Sequence, residues 1–148
     1  MKHRITKELC ICLFLFITGM THAQVFPGTG GPISNDSLPN TFPVTVSMGF
    51  TSIDTNFGVY GVTINLLHPY DADLNIFLVS PSGVIVELST KNGGSGDNYT
   101  NCTFTHNTNN KITSANPPFA GNYRPESSLS VVNNGQNPNG TWQLLIVD

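Results

Sequence analysis

The 148-residue sequence is poor in charge, poor in cysteine and nearly free of basic side chains. Only 10% of its residues are Asp, Glu, Lys or Arg. Beyond residue 23 the three bases Lys91, Lys111 and Arg124 stand against eight acids, a net charge of −5. Such a chain has no electrostatic footprint for nucleic acid. It has no basic amphipathic stretch for a membrane surface either. Cys102 is the one cysteine after residue 23. It has no partner for an internal disulfide, so stability must come from a packed core, a metal or a partner. A small buried hydrophobe on a strand is the expected role for it.

Catalytic groups are equally scarce. Only His68 and His106 lie beyond the first 23 residues. No serine sits in a G-x-S-x-G elbow, and Gly94-Ser95-Gly96 reads as a flexible loop. There is no H-E-x-x-H, no cysteine pair for zinc and no phosphate-cradling glycine loop before a helix. Asp71, Asp73, Asp97 and Glu126 offer carboxylates for glycoside chemistry. The single Trp142 lies in an apolar strand pattern, not on an aromatic cleft floor. These absences exclude independent catalysis.

What is present begins with a leader. Lys2, Arg4 and Lys7 precede the apolar run Leu9–Met20, and Ala23 ends a small-residue cleavage pattern. The run is too short for a bilayer span and reads as a signal peptide over 1–23, implying secretion and no membrane attachment after cleavage. Residues 24–42 are rich in Gly, Pro, Ser and Asn and read as a linker. One domain over 43–148 follows.

Its pattern is all-β. Strands are expected at Val44–Met48, Val59–Leu67, Asp73–Ser80, Val84–Leu88, Cys102–Thr105 and Thr141–Val147, with a weaker strand at Ser128–Val132. Leu74, Ile76 and Leu78 alternate with Asn75, Phe77 and Val79. Two largely apolar faces place that strand inside a sheet. Pro81-Ser82-Gly83 makes a hairpin turn, because Pro presets φ and Gly accepts a positive one. Lys91–Tyr99 is a glycine-rich loop, and Asn107–Tyr123 a long connection. Asp148 follows an apolar strand directly, so the pattern expects at least one further strand beyond it.

Calcium is the more plausible metal chemistry here, set against the reading that each Asp is a turn former or strand cap, solvated or bonded to backbone. It takes six to eight oxygen ligands, which Asp- and Asn-rich loops supply. On an extended chain Asp71 and Asp73 project to the same side. Asp97 and Asn98 follow the glycines. Asp71, Asp73 and Asp97 are therefore the candidate calcium ligands. Phe77 and Val79 break any EF-hand reading.

Several motifs occur in a familiar order. Asp73-Leu74-Asn75-Ile76-Phe77-Leu78-Val79-Ser80-Pro81-Ser82-Gly83 resembles the hallmark strand and turn of the P domain (P/Homo B domain) of subtilisin-like proprotein convertases, the kexin and furin type. Gly135–Leu144 resembles that family's closing G-x-W-x-L element. Gly93–Tyr99 and Pro118–Glu126 are similar to its bacterial secreted branch. The resemblance implies a jelly-roll β-sandwich, here lacking its last strand. It also implies a non-catalytic accessory module, associated with serine endopeptidases and proteolysis. Such a module stabilises or orients an adjoining domain and tunes its calcium and pH dependence. The alternative is an adhesive or carbohydrate-binding jelly roll on a cell-surface protein.

Overall fold

The computed structural model describes residues 23–148, so the signal-peptide assignment lies outside the described residues. Seven strands form two sheets. They are β1 (Asn40–Val46), β2 (Gly61–Leu66), β3 (Asn75–Val79), β4 (Ile85–Thr90), β5 (Tyr99–Thr105), β6 (Phe119–Tyr123) and β7 (Gly140–Val147). One sheet runs β1-β7-β3-β4 and the other β2-β5-β6. The fold is an all-β sandwich. No helix among the described residues is long and apolar enough to cross a membrane.

Period-two patterning builds the core. Leu74, just before β3, and Ile76 and Leu78 on it are buried, while Asn75, Phe77 and Val79 are half-buried on the other face. Val86 and Leu88 of β4 and Trp142 and Ile146 of β7 complete the apolar side of this sheet. Ile64, Leu66, Cys102, Phe104 and Phe119 come from the other sheet, and the two sets form one cluster. The β3–β4 hairpin turns as its sequence demands. Gly83 N–H donates to the Ser80 carbonyl at 2.9 Å, with Gly83 at φ +84°.

Strand β7 is flanked on both sides, antiparallel to β1 and to β3. Two partners and a buried inner face account for its apolar sequence. Trp142 is 5% exposed, and its indole N–H donates to the Pro138 carbonyl at 2.8 Å. Trp142→Phe removes that donor and part of the ring. Chemical denaturation should show a loss of about 1–3 kcal/mol.

Several boundaries differ from expectation. Strand β1 starts at Asn40, inside the stretch read as linker, and ends at Val46. The preceding segment is tied down. Ile33 packs on the core, and Ser37 N–H donates to the Asp148 carbonyl. Ser128–Val132 is not a strand: Leu129–Val132 forms a 3-10 turn capped by the Ser128 side chain. Its buried residues, Leu129 and Val132, are three apart, a single-turn spacing that an apolar count mistakes for a strand. The long connection hides β6, which pairs parallel to β5, so this sheet is not wholly antiparallel.

Candidate functional site

Strands β2 and β5 are antiparallel, with Gly61 opposite Thr105 and Leu66 opposite Tyr99. His68 lies just past one end of this ladder and His106 just past the other. The ladder alone is roughly 17 Å long. The two histidines thus belong to two separate clusters.

At the first end His68 joins three segments. Its Nδ1 lies 2.9 Å from the Tyr70 carbonyl, and its Nε2 lies 3.2 Å from Asp148 Oδ2. Asn98 locks the same corner at φ +73°, which Asn tolerates better than most residues. Its Oδ1 accepts His68 N–H at 3.0 Å. Its N–H donates to Asp71 Oδ1 at 3.0 Å and to the His68 carbonyl at 3.2 Å. Its carbonyl accepts Phe119 N–H at 2.9 Å.

Asp71 is the unusual group here. It is fully buried, and its Oδ2 has no hydrogen-bond partner. Burial pushes its carboxyl up from 3.8 to about 6. The Asn98 N–H and nearby His68 act against this, and the charge of Asp97 adds to it. The glycine loop closes over it. Asp71 N–H donates to the Gly96 carbonyl at 2.9 Å and Ala72 N–H to the Gly94 carbonyl at 3.3 Å. Gly93 stands at φ +95°, where a Cβ would meet Phe119 Cε2 at 2.9 Å and Asp71 Cβ at 3.0 Å. Glycine is required there on both counts.

The structure separates the three candidate calcium ligands. Asp71–Asp73 is a 3-10 turn, not an extended run, so the geometry that was to align Asp71 with Asp73 does not occur. Asp73 is exposed and borders a polar surface pocket with Asn35, Asn75, Lys91 and Asp148. Asp97 is exposed but near enough to act on Asp71. No three of His, Cys, Asp and Glu among the described residues are grouped to hold a metal. The orphaned buried oxygen of Asp71 is the feature that fits a hard, oxygen-seeking cation. The glycine-loop carbonyls around it were invisible in the side-chain pattern. The Gly-rich run itself was the signal.

At the other end His106 Nε2 lies 3.3 Å from Ser128 Oγ. The pair does not make an activated nucleophile. Nε2 already accepts the Leu129 N–H at 2.6 Å, and Ser128 Oγ accepts the Ser130 N–H at 3.1 Å. No carboxylate among the described residues bonds to His106. The acid–imidazole half of a triad thus sits on His68 and the imidazole–hydroxyl half on His106. Glu126 is committed to β4, accepting Thr90 N–H at 2.6 Å and the Asn92 amide at 2.7 Å. Cys102 is fully buried, and burial pushes its thiol up to about 12, so it is inert at neutral pH.

The seven strands form a sandwich, and no nucleophile, base and acid are assembled into one set among its described residues. The family model for the proprotein convertase P-domain matches residues 59–148, and the chain belongs to that family. A protein of Streptomyces exfoliatus, leupeptin-inactivating enzyme 1, is 33% identical over 97 residues. The match covers 57% of this chain and 22% of that protein, so the chain spans a minor part of its curated relative. No solved structure matches the chain.

Proposed function

We propose that this chain is a secreted, non-catalytic P-domain module that stabilises or orients an adjoining protein domain, of the subtilisin-like protease kind. The family match over residues 59–148 carries the reading. The split of His68 and His106 between two ends supports the non-catalytic part, as does the inert Cys102. The short stretch matched in an enzyme-named relative is what an appended module would leave. Exposed Leu67 and Tyr70, beside the ordered His68 corner, supply apolar surface for a neighbour.

Calcium at Asp71 belongs to this reading. A cation there would satisfy Oδ2, with Asp97 and loop carbonyls the remaining oxygens in reach of that corner. Its effect would be to fix the Gly93–Gly96 loop against the β2–β3 connection.

The purified chain should hydrolyse neither casein nor chromogenic peptide amides. Turnover abolished by Ser128→Ala or His106→Ala would contradict the reading. Joined to the domain it adjoins in its gene, the chain should raise that domain's melting temperature.

A further inference from the structure

Thr55, Val59, Tyr60, Thr105, His106, Asn107, Ser128, Ser130 and Asn133 line an open pocket of about 330 Å³ at the His106 end of the sandwich. We infer that this pocket binds a neutral polyhydroxylated ligand, a sugar residue stacked on Tyr60. The inference is independent of the accessory role, which concerns the packing of a neighbouring domain.

Charge comes first. No Asp, Glu, Lys or Arg lines the pocket. Anionic groups such as phosphate or uronate therefore find no counter-charge, and neither does an amine. Its polar groups are hydroxyls, amides and an imidazole, each able to donate or accept, set in a lining whose exposed surface is mostly apolar.

The aromatic platform is the second observation. Tyr60 is 66% exposed, yet its phenol oxygen accepts a hydrogen bond from the Asn107 amide at 2.8 Å. The Tyr60 carbonyl is held by Thr105 Oγ1 at 3.0 Å. The phenol tip is thus tethered by Asn107 and the residue's main chain by Thr105, while the bulk of the ring faces solvent. A rigid exposed aromatic lowers the ordering cost of binding. Its apolar body suits the C–H face of a pyranose, and its surroundings suit the hydroxyls.

The polar atoms divide cleanly into used and unused. Leu129 N–H points at His106 Nε2, so that nitrogen carries the lone pair and the ring proton sits on Nδ1. Among the described residues that Nδ1–H has no partner, and neither do the Asn107 carbonyl oxygen and the Thr55 hydroxyl. They are a donor, an acceptor and a group that serves as either.

Part of the main chain, by contrast, is already paired. Asn133 takes both the N–H and the carbonyl of Val59, at 2.8 and 3.3 Å. Thr105 takes the Tyr60 carbonyl and His106 takes the Leu129 N–H. An extended peptide binds chiefly through backbone pairing, and these four groups are not free for it. What remains is side-chain hydroxyl, amide, imidazole and ring.

Calorimetry and side-chain NMR of the full chain test this. The probes are cello-, chito-, manno- and maltotetraose, acidic tetragalacturonate and a neutral Ser/Gly/Tyr peptide. At least one neutral sugar should bind, with a Kd on the order of 1 mM for a single stacked ring. It should shift the Tyr60 ring and His106 imidazole signals. Tyr60→Ala should weaken it by about tenfold with the melting temperature unchanged, and Tyr60→Phe should retain most of it. The inference is overturned if no neutral sugar shifts those signals. It is also overturned if binding survives Tyr60→Ala, or if the peptide or the uronate binds in place of the neutral sugars.

Discussion

Phe119→Ala should cost about 3–5 kcal/mol, the range for deleting a buried aromatic ring. Against a total stability of roughly 5–15 kcal/mol, a large part of the domain's margin disappears. The side chain is fully buried. Its ring lies 4.8 Å from that of Tyr99, and 5.8 Å from that of Tyr123 at an edge-on 84°. It also forms the wall that keeps Gly93 a glycine. Its own N–H holds Asn98 in place. Removing the ring therefore empties the core and loosens the loop over Asp71. Thermal unfolding should shift down by about 10–20 °C for a domain of this size. Leu67→Ala serves as the control. That side chain is 84% exposed and should change stability by no more than about 0.5 kcal/mol. A Phe119→Ala shift as small as the control's would show that β6 is not part of the core.

Asp71→Asn should change the pH dependence of stability, with a sign that depends on calcium. The folded carboxyl holds its proton up to about pH 6, against 3.8 as the ordinary value. The folded state thus binds the proton more tightly. Stability from this group is full below about pH 4 and is lost as pH rises through about 6. The whole shift corresponds to about 3 kcal/mol. Screening by the polar loop and solvent reduces this to on the order of 1–2 kcal/mol.

In chelator, the wild-type chain should lose that amount between pH 4 and 7.5. Asp71→Asn should remove this step, because its amide keeps an oxygen for the Asn98 N–H and carries no charge. At pH 7.5 in chelator the variant should then be the more stable protein. Adding calcium should raise the wild-type melting temperature and leave Asp71→Asn unmoved. If calcium shifts neither protein, Asp71 is a buried acid and not a ligand.

How far the sequence could be read depended on where each side chain spends its energy. Strands β3, β4 and β7 were legible, because Leu74, Ile76 and Leu78, then Val86 and Leu88, then Trp142, Leu144 and Ile146 repeat at spacing two towards the core. The Pro81-Ser82-Gly83 turn was legible from backbone conformation alone. Strand β6 was not, since only Phe119 of its five residues is buried. Its partner is parallel and reached across a long connection, so no hairpin signal marks it. The start of β5 was hidden because Asn101, at φ +47°, interrupts regular alternation.

The candidate site was half legible. Carboxylates near a glycine loop pointed to the corner where Asp71 is buried. Treating Asp71–Asp73 as extended predicted a matched pair, whereas the 3-10 turn buries one carboxylate and exposes the other. The Asn98 hub was beyond reach, because its bonds to His68, Asp71 and Phe119 join residues distant in sequence.

The accessory role is tested most directly by the thermal unfolding of the neighbouring domain proposed for it, with residues 24–148, the whole sandwich and its entry segment, present and deleted. Deletion should lower that domain's melting temperature by several degrees, as loss of a stabilising contact of a few kcal/mol requires. An unchanged melting temperature, with the two domains unfolding independently, would contradict the account.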